Sequence, residues 1–275
     1  MKFSGSFSTA GRGGSEVDQA EEKAFRNRTA QEELQRGTGD LLKVVGQHHA
    51  LSPMREYAQA FRRSFREKAW LLDVGTGYAW PWKDAGEGPA VVGIDFSMGN
   101  LLLAKRLLGD RRGRVFLICA DASRLPFAEG SFDGVWSVQA FQHFPAPIFQ
   151  RARTELERVL KKRFMMEFHH LHPAFLYRIL SRFKGKRLHR RGRCGPFETQ
   201  RLFLSEWLEK WKTFRGGRFK TTTSYSELFF HPELRFRPRV YPVRLERFLS
   251  RCAPFLAALF ARQGCLRFKS IKRDD

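Results

Sequence analysis

The chain has 275 residues, of which 42% are hydrophobic, and a formal net charge of +22. This size and composition allow one sizeable core with appendages. The chain contains no uninterrupted run of 18 apolar residues, and its first ten residues lack the apolar stretch of a secretion signal, which argues against membrane insertion and secretion. The four cysteines form no CxxC pair and show no metal-ligand spacing, so we expect reduced thiols in a cytoplasmic protein and no metal site.

The basic charge is concentrated in the second half of the chain. Residues 151–275 carry 31 Lys and Arg against 11 Asp and Glu, whereas residues 1–150 carry 19 against 17. A one-sided basic balance indicates an anionic partner, such as RNA, a phospholipid surface or an acidic substrate. A well-solvated, Arg-rich surface explains the same composition equally well.

The N-terminal part is predicted to be a tail followed by helices. Residues 1–14 are rich in Gly and Ser and have little to bury, which is typical of a flexible tail. Residues 15–36 are charged and favour a helix or lid on the surface, and residues 51–68 have the 3- and 4-residue apolar spacing of an amphipathic helix. Residues 15–69 are therefore assigned to N-terminal helices and a lid.

The next stretch predicts a strand, a glycine turn and a second strand. Residues 70–74 are apolar apart from Asp73, and the turn that follows contains Gly75 and Gly77. Glycines at this place let the backbone turn sharply and leave room for a ligand against it. Residues 90–95 form the second strand, and Asp95 at its end is placed to accept hydrogen bonds from the hydroxyls of a ribose. The alternative is a solvated loop carboxylate.

Strands and helices continue to alternate up to residue 170. The pattern predicts helices over 98–108 and 147–160 and strands over 115–119, 132–138 and 164–168. Five strands with helices between them indicate a parallel sheet with right-handed crossovers. Residues 70–170 are assigned to this core.

The character of the chain changes after the fifth strand. Residues 178–193 hold eight basic residues and no acid, within a segment, 171–240, that we interpret as a basic insertion on the substrate side. It includes a predicted helix over 205–211 and a strand over 219–230. Residues 241–275 contribute a helix over 245–260 and a last strand over 265–272.

Two kinds of cofactor compete for the glycine turn. A nicotinamide dinucleotide site needs a third glycine, where this chain has the bulky Trp80, and Asp73 is poorly placed beside a pyrophosphate. A cationic ligand without phosphate fits these residues better, and S-adenosylmethionine is such a ligand.

The order of motifs resembles the class I S-adenosylmethionine-dependent methyltransferases, closest to their small-molecule and quinone-type branch. The resemblance covers about residues 65–170 and, more loosely, the last strand. It implies a Rossmann-like α/β fold with a mostly parallel seven-stranded sheet and helices on both faces, which residues 241–275 would complete. The stretches that carry it are Leu72-Asp73-Val74-Gly75-Thr76-Gly77, Val92-Gly93-Ile94-Asp95-Phe96-Ser97, Ala120-Asp121-Ala122, Leu125-Pro126-Phe127, Ser131-Phe132-Asp133-Gly134-Val135-Trp136-Ser137 and Glu155-Leu156-Glu157-Arg158-Val159-Leu160-Lys161.

The resemblance assigns each part of the cofactor to residues of this chain. The methionine half would lie against the turn, with Asp73 near its ammonium group; Asp95 would hold the ribose, and Phe96 would pack on the adenine. The remaining assigned residues are, for the turn, Gly75, Thr76 and Gly77; for the adenine amino group, Asp121 with Ala122 beside it; and for the sulfonium, Ser137 and Gln139. The segment 78–82 departs from the family pattern, and we expect it to reshape or cover the methionine pocket.

Methyl transfer needs a general base only when the accepting atom must lose a proton. His143, His169 and His170 are the candidates because each is predicted to follow a strand at the ligand edge, and His143 is preferred. A histidine that holds its loop by hydrogen bonds is the structural alternative. The proline-rich motif used on exocyclic amines and a cysteine nucleophile after strand four are both missing from the sequence.

Three functions remain open at this point. The first is a methyltransferase for a small-molecule or lipid-like acceptor, because residues 174–183 mix apolar and basic side chains as helices on anionic membranes do. The second is an RNA methyltransferase that uses the basic half of the chain. The third is a non-catalytic protein that binds S-adenosylmethionine. The expected location is the cytoplasm, with peripheral membrane association as a variant.

Overall fold

The computed structural model describes residues 16–35, 53–83, 85–109, 113–173, 179, 191–194, 197–229 and 242–271. The predicted tail over 1–14 and the predicted apolar and basic helix over 174–183 lie outside these residues, apart from residue 179. None of the described helices combines the length and the apolar character needed to span a bilayer.

Five parallel strands form the first part of a seven-stranded sheet. Most of these strands are apolar runs, although the longest begins with basic residues, two of them exposed, before its buried part. They are β1 (Trp70–Val74), β2 (Ala90–Asp95), β3 (Val115–Cys119), β4 (Phe132–Val138) and β5 (Leu160–Leu171). The order β3-β2-β1-β4-β5 reverses direction between β1 and β4, which is the point where ligands bind in open α/β sheets.

Two further strands extend the sheet beyond β5. The strand β9 (Gln263–Ser270) runs antiparallel between β5 and β8 (Phe219–Ser226), so that the sheet ends in the order β5-β9-β8. A separate hairpin pairs β6 (Arg191–Cys194) with β7 (Phe197–Gln200). The predicted seven-stranded, mostly parallel sheet is confirmed.

Helices cover both faces of the sheet. The helices α2 (Met54–Arg63) and α3 (Met98–Leu108) pack on one face, where Phe61, Leu71, Trp82 and Ala104 belong to one buried cluster. The other face is covered by α4 (Ala146–Val159) and α5 (Leu204–Trp211) and holds a second, aromatic-rich cluster. The remaining helices are α1 (Glu16–Gln35), α6 (Val243–Cys252) and α7 (Pro254–Phe260).

Several predicted elements differ in extent from the structure; the strand predicted over 219–230, for example, ends at Ser226. Two of the differences matter for the fold and the site. The single helix predicted over 245–260 is two helices, because Pro254 lacks the N–H that would continue α6 and instead begins α7. The fifth strand was predicted to end at Phe168 but continues to Leu171, since its pairing with β9 extends as far as Gln263. This second difference moves two histidines from a loop into the sheet.

Candidate functional site

The turn after β1 is held in a left-handed backbone conformation by two glycines. Gly75 has φ +67° and Gly77 has φ +53°, a region that residues with a Cβ rarely adopt. A Cβ on Gly75 would lie 2.4 Å from the Cβ of Ala140, in the loop after β4, whereas a Cβ on Gly77 would meet no atom within 4 Å. Gly75 is therefore needed for packing, and Gly77 faces open space.

Asp73 anchors the turn from below. Its Oδ2 accepts hydrogen bonds from Thr76 Oγ1 at 2.6 Å and from Trp82 Nε1 at 2.7 Å. Burial raises the pKa of this carboxyl to about 6, although both hydrogen bonds favour the charged form. The carboxylate therefore holds the segment after the turn, and its predicted contact with a methionine ammonium stays a prediction.

The unusual segment 78–82 folds into the protein. Ala79 has φ +51° and starts a short 3-10 helix over Trp80–Trp82, in which Pro81 occupies the first turn. Trp82 is fully buried and contacts Trp136 on β4 edge-on, with ring centroids 6.0 Å apart. Trp82 thus fills the core beneath the turn, and its indole N–H selects the orientation of Asp73.

Asp95 joins the turn after β1 to the turn after β2. Its Oδ2 accepts the N–H of Gly77 at 3.0 Å, and its Oδ1 accepts the N–H of Ser97 at 2.9 Å and Nδ2 of Asn100 at 3.3 Å. A carboxylate offers about four acceptor positions, so three are filled and one remains for a further donor. Burial raises the pKa of Asp95, while these hydrogen bonds oppose that shift.

Helix α1 packs against the start of α3, next to Asp95. Asn27 Oδ1 accepts the hydroxyl of Ser97 at 2.8 Å and the N–H of Gly99 at 3.0 Å. A Cβ on Gly99 would lie 2.6 Å from the Cβ of Ala30, so the two helices touch closely. The helix begins at Met98, as predicted, with Ser97 as its N-cap, but no local signal pointed to Asn27 as the partner of Ser97.

The other predicted cofactor residues lie along the same edge. Asp121 follows β3, and its Oδ1 accepts the N–H of Ser123 at 2.8 Å, while the N–H of Ala120 binds the carbonyl of Asp95. Phe96 and Ala122 are half-buried there. The loops after β2 and β3 are thus joined, and the assigned contacts with adenine stay predictions.

Residues at the end of β4 complete this edge. Ser137 is buried, and its hydroxyl donates to the carbonyl of Val74 at 2.8 Å, which ties β4 to β1. Gln139 has φ +57°, uncommon for a residue with a side chain, and its N–H donates to the carbonyl of His169 at 2.7 Å. Strain of this kind is tolerated where neighbouring structure holds it, and it is found often at ligand sites.

The three candidate bases have different surroundings. His143 lies half-buried in the short helix after β4, and its Nδ1 is 3.4 Å from Oγ1 of Thr199 in β7. The expectation that His169 and His170 follow a strand is wrong, since both lie inside β5 and are buried. His170 stacks on Trp207 with ring centroids 3.9 Å apart, and burial lowers its pKa to about 3.

His169 points to the opposite face of the sheet from His170. Burial favours its neutral form, but Cys265 and Glu167 beside it outweigh burial and raise the pKa of His169 to about 10. A histidine enclosed in this way cannot reach an acceptor above the sheet edge. Of the three candidates, only His143 remains at that edge, and its role as a general base stays a prediction.

These residues fit S-adenosylmethionine at the edge formed by β1, β2 and β4. Gly77 leaves room for a ligand against the backbone, and the free acceptor position of Asp95 suits a ribose hydroxyl. The turn offers no cluster of lysine or arginine for a pyrophosphate among its residues 75–80. The geometry thus favours a nucleoside ligand without phosphates.

Comparisons with known proteins agree with this geometry. A family model described as a methyltransferase domain matches residues 72–164. The chain is 35% identical over 132 residues to a malonyl-[acyl-carrier protein] O-methyltransferase of Gallionella capsiferriformans, covering 43% of each protein. It is 38% identical over 93 residues to a demethylmenaquinone methyltransferase of Thermus thermophilus, covering 33% of this chain and 41% of the relative. The chain thus spans less than half the length of these relatives.

A solved structure resembles the fold over nearly the whole chain. Magnesium protoporphyrin IX methyltransferase from Synechocystis PCC 6803, determined with bound SAH, superposes with a TM-score of 0.56 at 14% identity, over 92% of this chain and 100% of that one. At this identity the likeness concerns the fold alone. The segment similar to a methyltransferase domain, residues 72–164, contains the glycine turn and lies on strands β1 to β5 of the seven-stranded sheet.

Proposed function

We propose that this protein is an S-adenosylmethionine-dependent methyltransferase that acts on a small-molecule or lipid-like acceptor. The observation that carries the proposal is the open space over Gly77 beside the Asp95 carboxylate, at the point where the strand order reverses. Relatives that share the domain are named for methylating malonyl-[acyl-carrier protein] and demethylmenaquinone.

The chain's contribution to methyl transfer is binding, orientation and exclusion of water. The cofactor supplies a methyl group on a sulfonium, which an acceptor attacks in line. Asp95 would accept a ribose hydroxyl, and the loop after β4, held by the N–H of Gln139, would border the acceptor. Correct alignment of the two reactants can supply about 7–11 kcal/mol of the barrier.

Asp95→Ala tests the cofactor site. We expect it to weaken S-adenosylmethionine binding by roughly 30-fold or more, because it removes the ribose acceptor and releases the N–H groups of Gly77 and Ser97. Isothermal calorimetry measures this affinity. The matched control is Asp133→Ala at the start of β4, whose carboxylate binds Lys161 away from the turn and whose loss should leave cofactor affinity unchanged. Equal affinities in both variants would refute the proposed ribose site.

An apolar acceptor is supported by the outer face of α6 and α7. Val243, Glu246 and Ser250 form the buried face of α6, which leaves Leu245 and Phe248 exposed on the other face. Arg244 and Arg251 are exposed as well, whereas the guanidinium of Arg247 lies over the ring of Tyr57, 5.0 Å from its centroid. Further exposed apolar side chains of α7 are Phe255, Leu256 and Phe260, with Phe255 at 76% exposure.

Apolar side chains beside arginines suit the surface of an anionic bilayer. The N–H of His172, just after β5, donates to the carbonyl of Arg262, just after α7, so this surface adjoins the carboxyl end of the sheet. We therefore propose that the protein takes its acceptor from an anionic membrane surface. The RNA alternative shares the positive charge but makes no use of exposed phenylalanines.

Vesicle co-sedimentation distinguishes these partners. We expect binding to phosphatidylglycerol vesicles but not to phosphatidylcholine vesicles, and about tenfold weaker binding by Phe255→Ser, since burying a large apolar side chain stabilises by about 1.5–3 kcal/mol. Leu102→Ser, an exposed position on α3, is the control and should bind as the unmodified protein does. Tight, salt-sensitive RNA binding without vesicle binding would favour the RNA alternative and exclude the membrane proposal.

A further inference from the structure

The pairing of β5 with β9 brings three metal-binding side-chain types together. In this antiparallel register His169 lies opposite Cys265, and Glu167 lies opposite Arg267. Alternate residues of a strand point to the same face, so all four side chains share one face of the sheet. It is the face covered by α2, where Tyr57 and Trp136 contact the His169 ring.

The three potential ligands are close together and buried. One ligand atom each from Glu167, His169 and Cys265 can be chosen such that all lie within 4.8 Å of one another. Their relative exposures are 1%, 0% and 4%. A site enclosed to this degree is shielded from bulk solvent, so a bound cation would keep its protein ligands.

The hydrogen bonds around the cluster leave ligand positions available. Glu167 Oε1 is 3.0 Å from His169 Nε2, while Glu167 Oε2 accepts Nε of Arg267 at 2.6 Å. His169 Nδ1 has no hydrogen-bond partner in the described part of the chain. Arg267 therefore orients the carboxylate from the side, as outer hydrogen-bond partners do in metal sites, and Oε1 faces the imidazole.

The ligand set selects the kind of cation. Thiolate and imidazole favour zinc and similar transition metals, whereas magnesium and calcium take oxygen ligands. A tetrahedral zinc site has ligand atoms roughly 3.3–3.7 Å apart, from metal–ligand distances of about 2.0–2.3 Å. The cluster would need to contract by about 1 Å at its widest, which is within reach of side-chain rotation.

We propose that Glu167, His169 and Cys265 bind one divalent, thiophilic metal ion, with Zn²⁺ as the best-fitting ion and water at the fourth position. Binding displaces two protons to solvent, one from the Cys265 thiol and one from the His169 imidazolium, and leaves a thiolate and a neutral imidazole on the metal. The ion would clamp β9 to β5 and so stiffen the strand whose His169 carbonyl holds the loop after β4. This site is independent of the proposed methyl transfer.

Metal titration of the full-length protein tests the proposal. After treatment with a chelator and buffer exchange, we expect dialysis against Zn²⁺ to load one equivalent, measured by elemental analysis. Co²⁺ in place of Zn²⁺ should give a near-ultraviolet thiolate-to-metal charge-transfer band that Zn²⁺ abolishes. Both measurements use the unmodified protein, so their results remain valid even if a variant of one of the three ligand residues fails to fold.

Variants assign the site to the three residues. Cys265→Ser should remove the charge-transfer band and lower metal affinity at least tenfold, and His169→Gln should lower the affinity similarly. The matched control is Cys252→Ser, which changes an exposed cysteine on α6 and should keep both the band and the stoichiometry. Folding of each variant is checked by circular dichroism.

Three results would overturn the proposal. The first is less than 0.2 equivalents of bound Zn²⁺ (roughly the level of adventitious binding) in the unmodified protein at micromolar metal, a concentration well above the dissociation constants of ordinary protein zinc sites. The second is bound Co²⁺ without a thiolate band. The third is loss of the band in Cys252→Ser together with its retention in Cys265→Ser.

Discussion

Two regions of this molecule bury carboxylates, and they do so with different partners. At the ends of β1 and β2, Asp73 and Asp95 accept hydrogen bonds from groups at most 18 positions away in the chain. On β5, Glu167 is bound by Arg267, which is 100 positions away. In the first region the hydrogen bonds fix the loops beside a space for a ligand. In the second region they enclose the charged side chains around Glu167 within the sheet.

This difference shows what each arrangement is suited for. Two backbone N–H groups and Nδ2 of Asn100 fill three acceptor positions of Asp95 and leave one for a bound molecule, while Arg26 is near enough to favour the charged form of this carboxylate. A fully enclosed carboxylate such as Glu167 needs cationic neighbours, because desolvation of an unpaired charge is costly. We therefore expect the first region to bind a ligand, and the second region to stabilise the fold or to hold a metal ion.

The largest effect is expected from Gly75→Ala. Its Cβ would lie 2.4 Å from that of Ala140, and its φ of +67° disfavours any side chain. We expect a loss of about 3 kcal/mol or more in the free energy of unfolding, from backbone strain and overpacking together. Gly77→Ala is the control for strain alone and should cost about 1–2 kcal/mol, because no atom lies within 4 Å of its Cβ. Urea denaturation measures both, and equal losses would contradict the packing role of Gly75.

A similar effect at the second region is expected from Glu167→Gln. The substitution leaves the buried His169 and the partly exposed Arg267 without their carboxylate, which should cost about 3 kcal/mol of unfolding free energy, measured with a chelator present. Glu209→Gln breaks a surface pair with Lys212 in which both side chains are about 70% exposed, so its effect should be within 0.5 kcal/mol. A loss below 1 kcal/mol for Glu167→Gln would show that the cluster is not a stabilising unit.

The dependence of the unfolding free energy on pH is expected to distinguish Asp73 in the first region from Glu167 in the second. Since burial raises the pKa of folded Asp73 to about 6, the folded state binds more protons than the unfolded state between about pH 4 and 6. Stability should therefore fall as pH rises through this window, by up to about 3 kcal/mol. Asp73→Asn lacks this titration, so the difference between its unfolding free energy and that of the unmodified protein should change across the window. Parallel profiles from pH 4 to 7 would show that Asp73 titrates normally.

Much of the first region could be predicted from local patterns. The bounds of β1 to β4 and of α3 agree with the predicted elements, since each depends on an apolar run between a turn and a polar residue. The segment 78–82 was expected to reshape or cover the methionine pocket, but the pattern did not indicate that Trp82 would enter the core. That outcome depends on the space beneath β1 and on a hydrogen bond to Asp73.

The sequence by itself determined the alternating strands, the glycine turn and the acidic residue that ends β2, because these depend on neighbours in the chain. Only the tertiary structure decided that β9 enters the sheet beside β5 and brings Cys265 next to His169. The spacing of the cysteines argued against a metal site. The spacing of residues along the sequence, however, cannot reveal ligands that come from strands far apart in the chain. Long-range antiparallel pairing, rather than any local motif, creates that cluster.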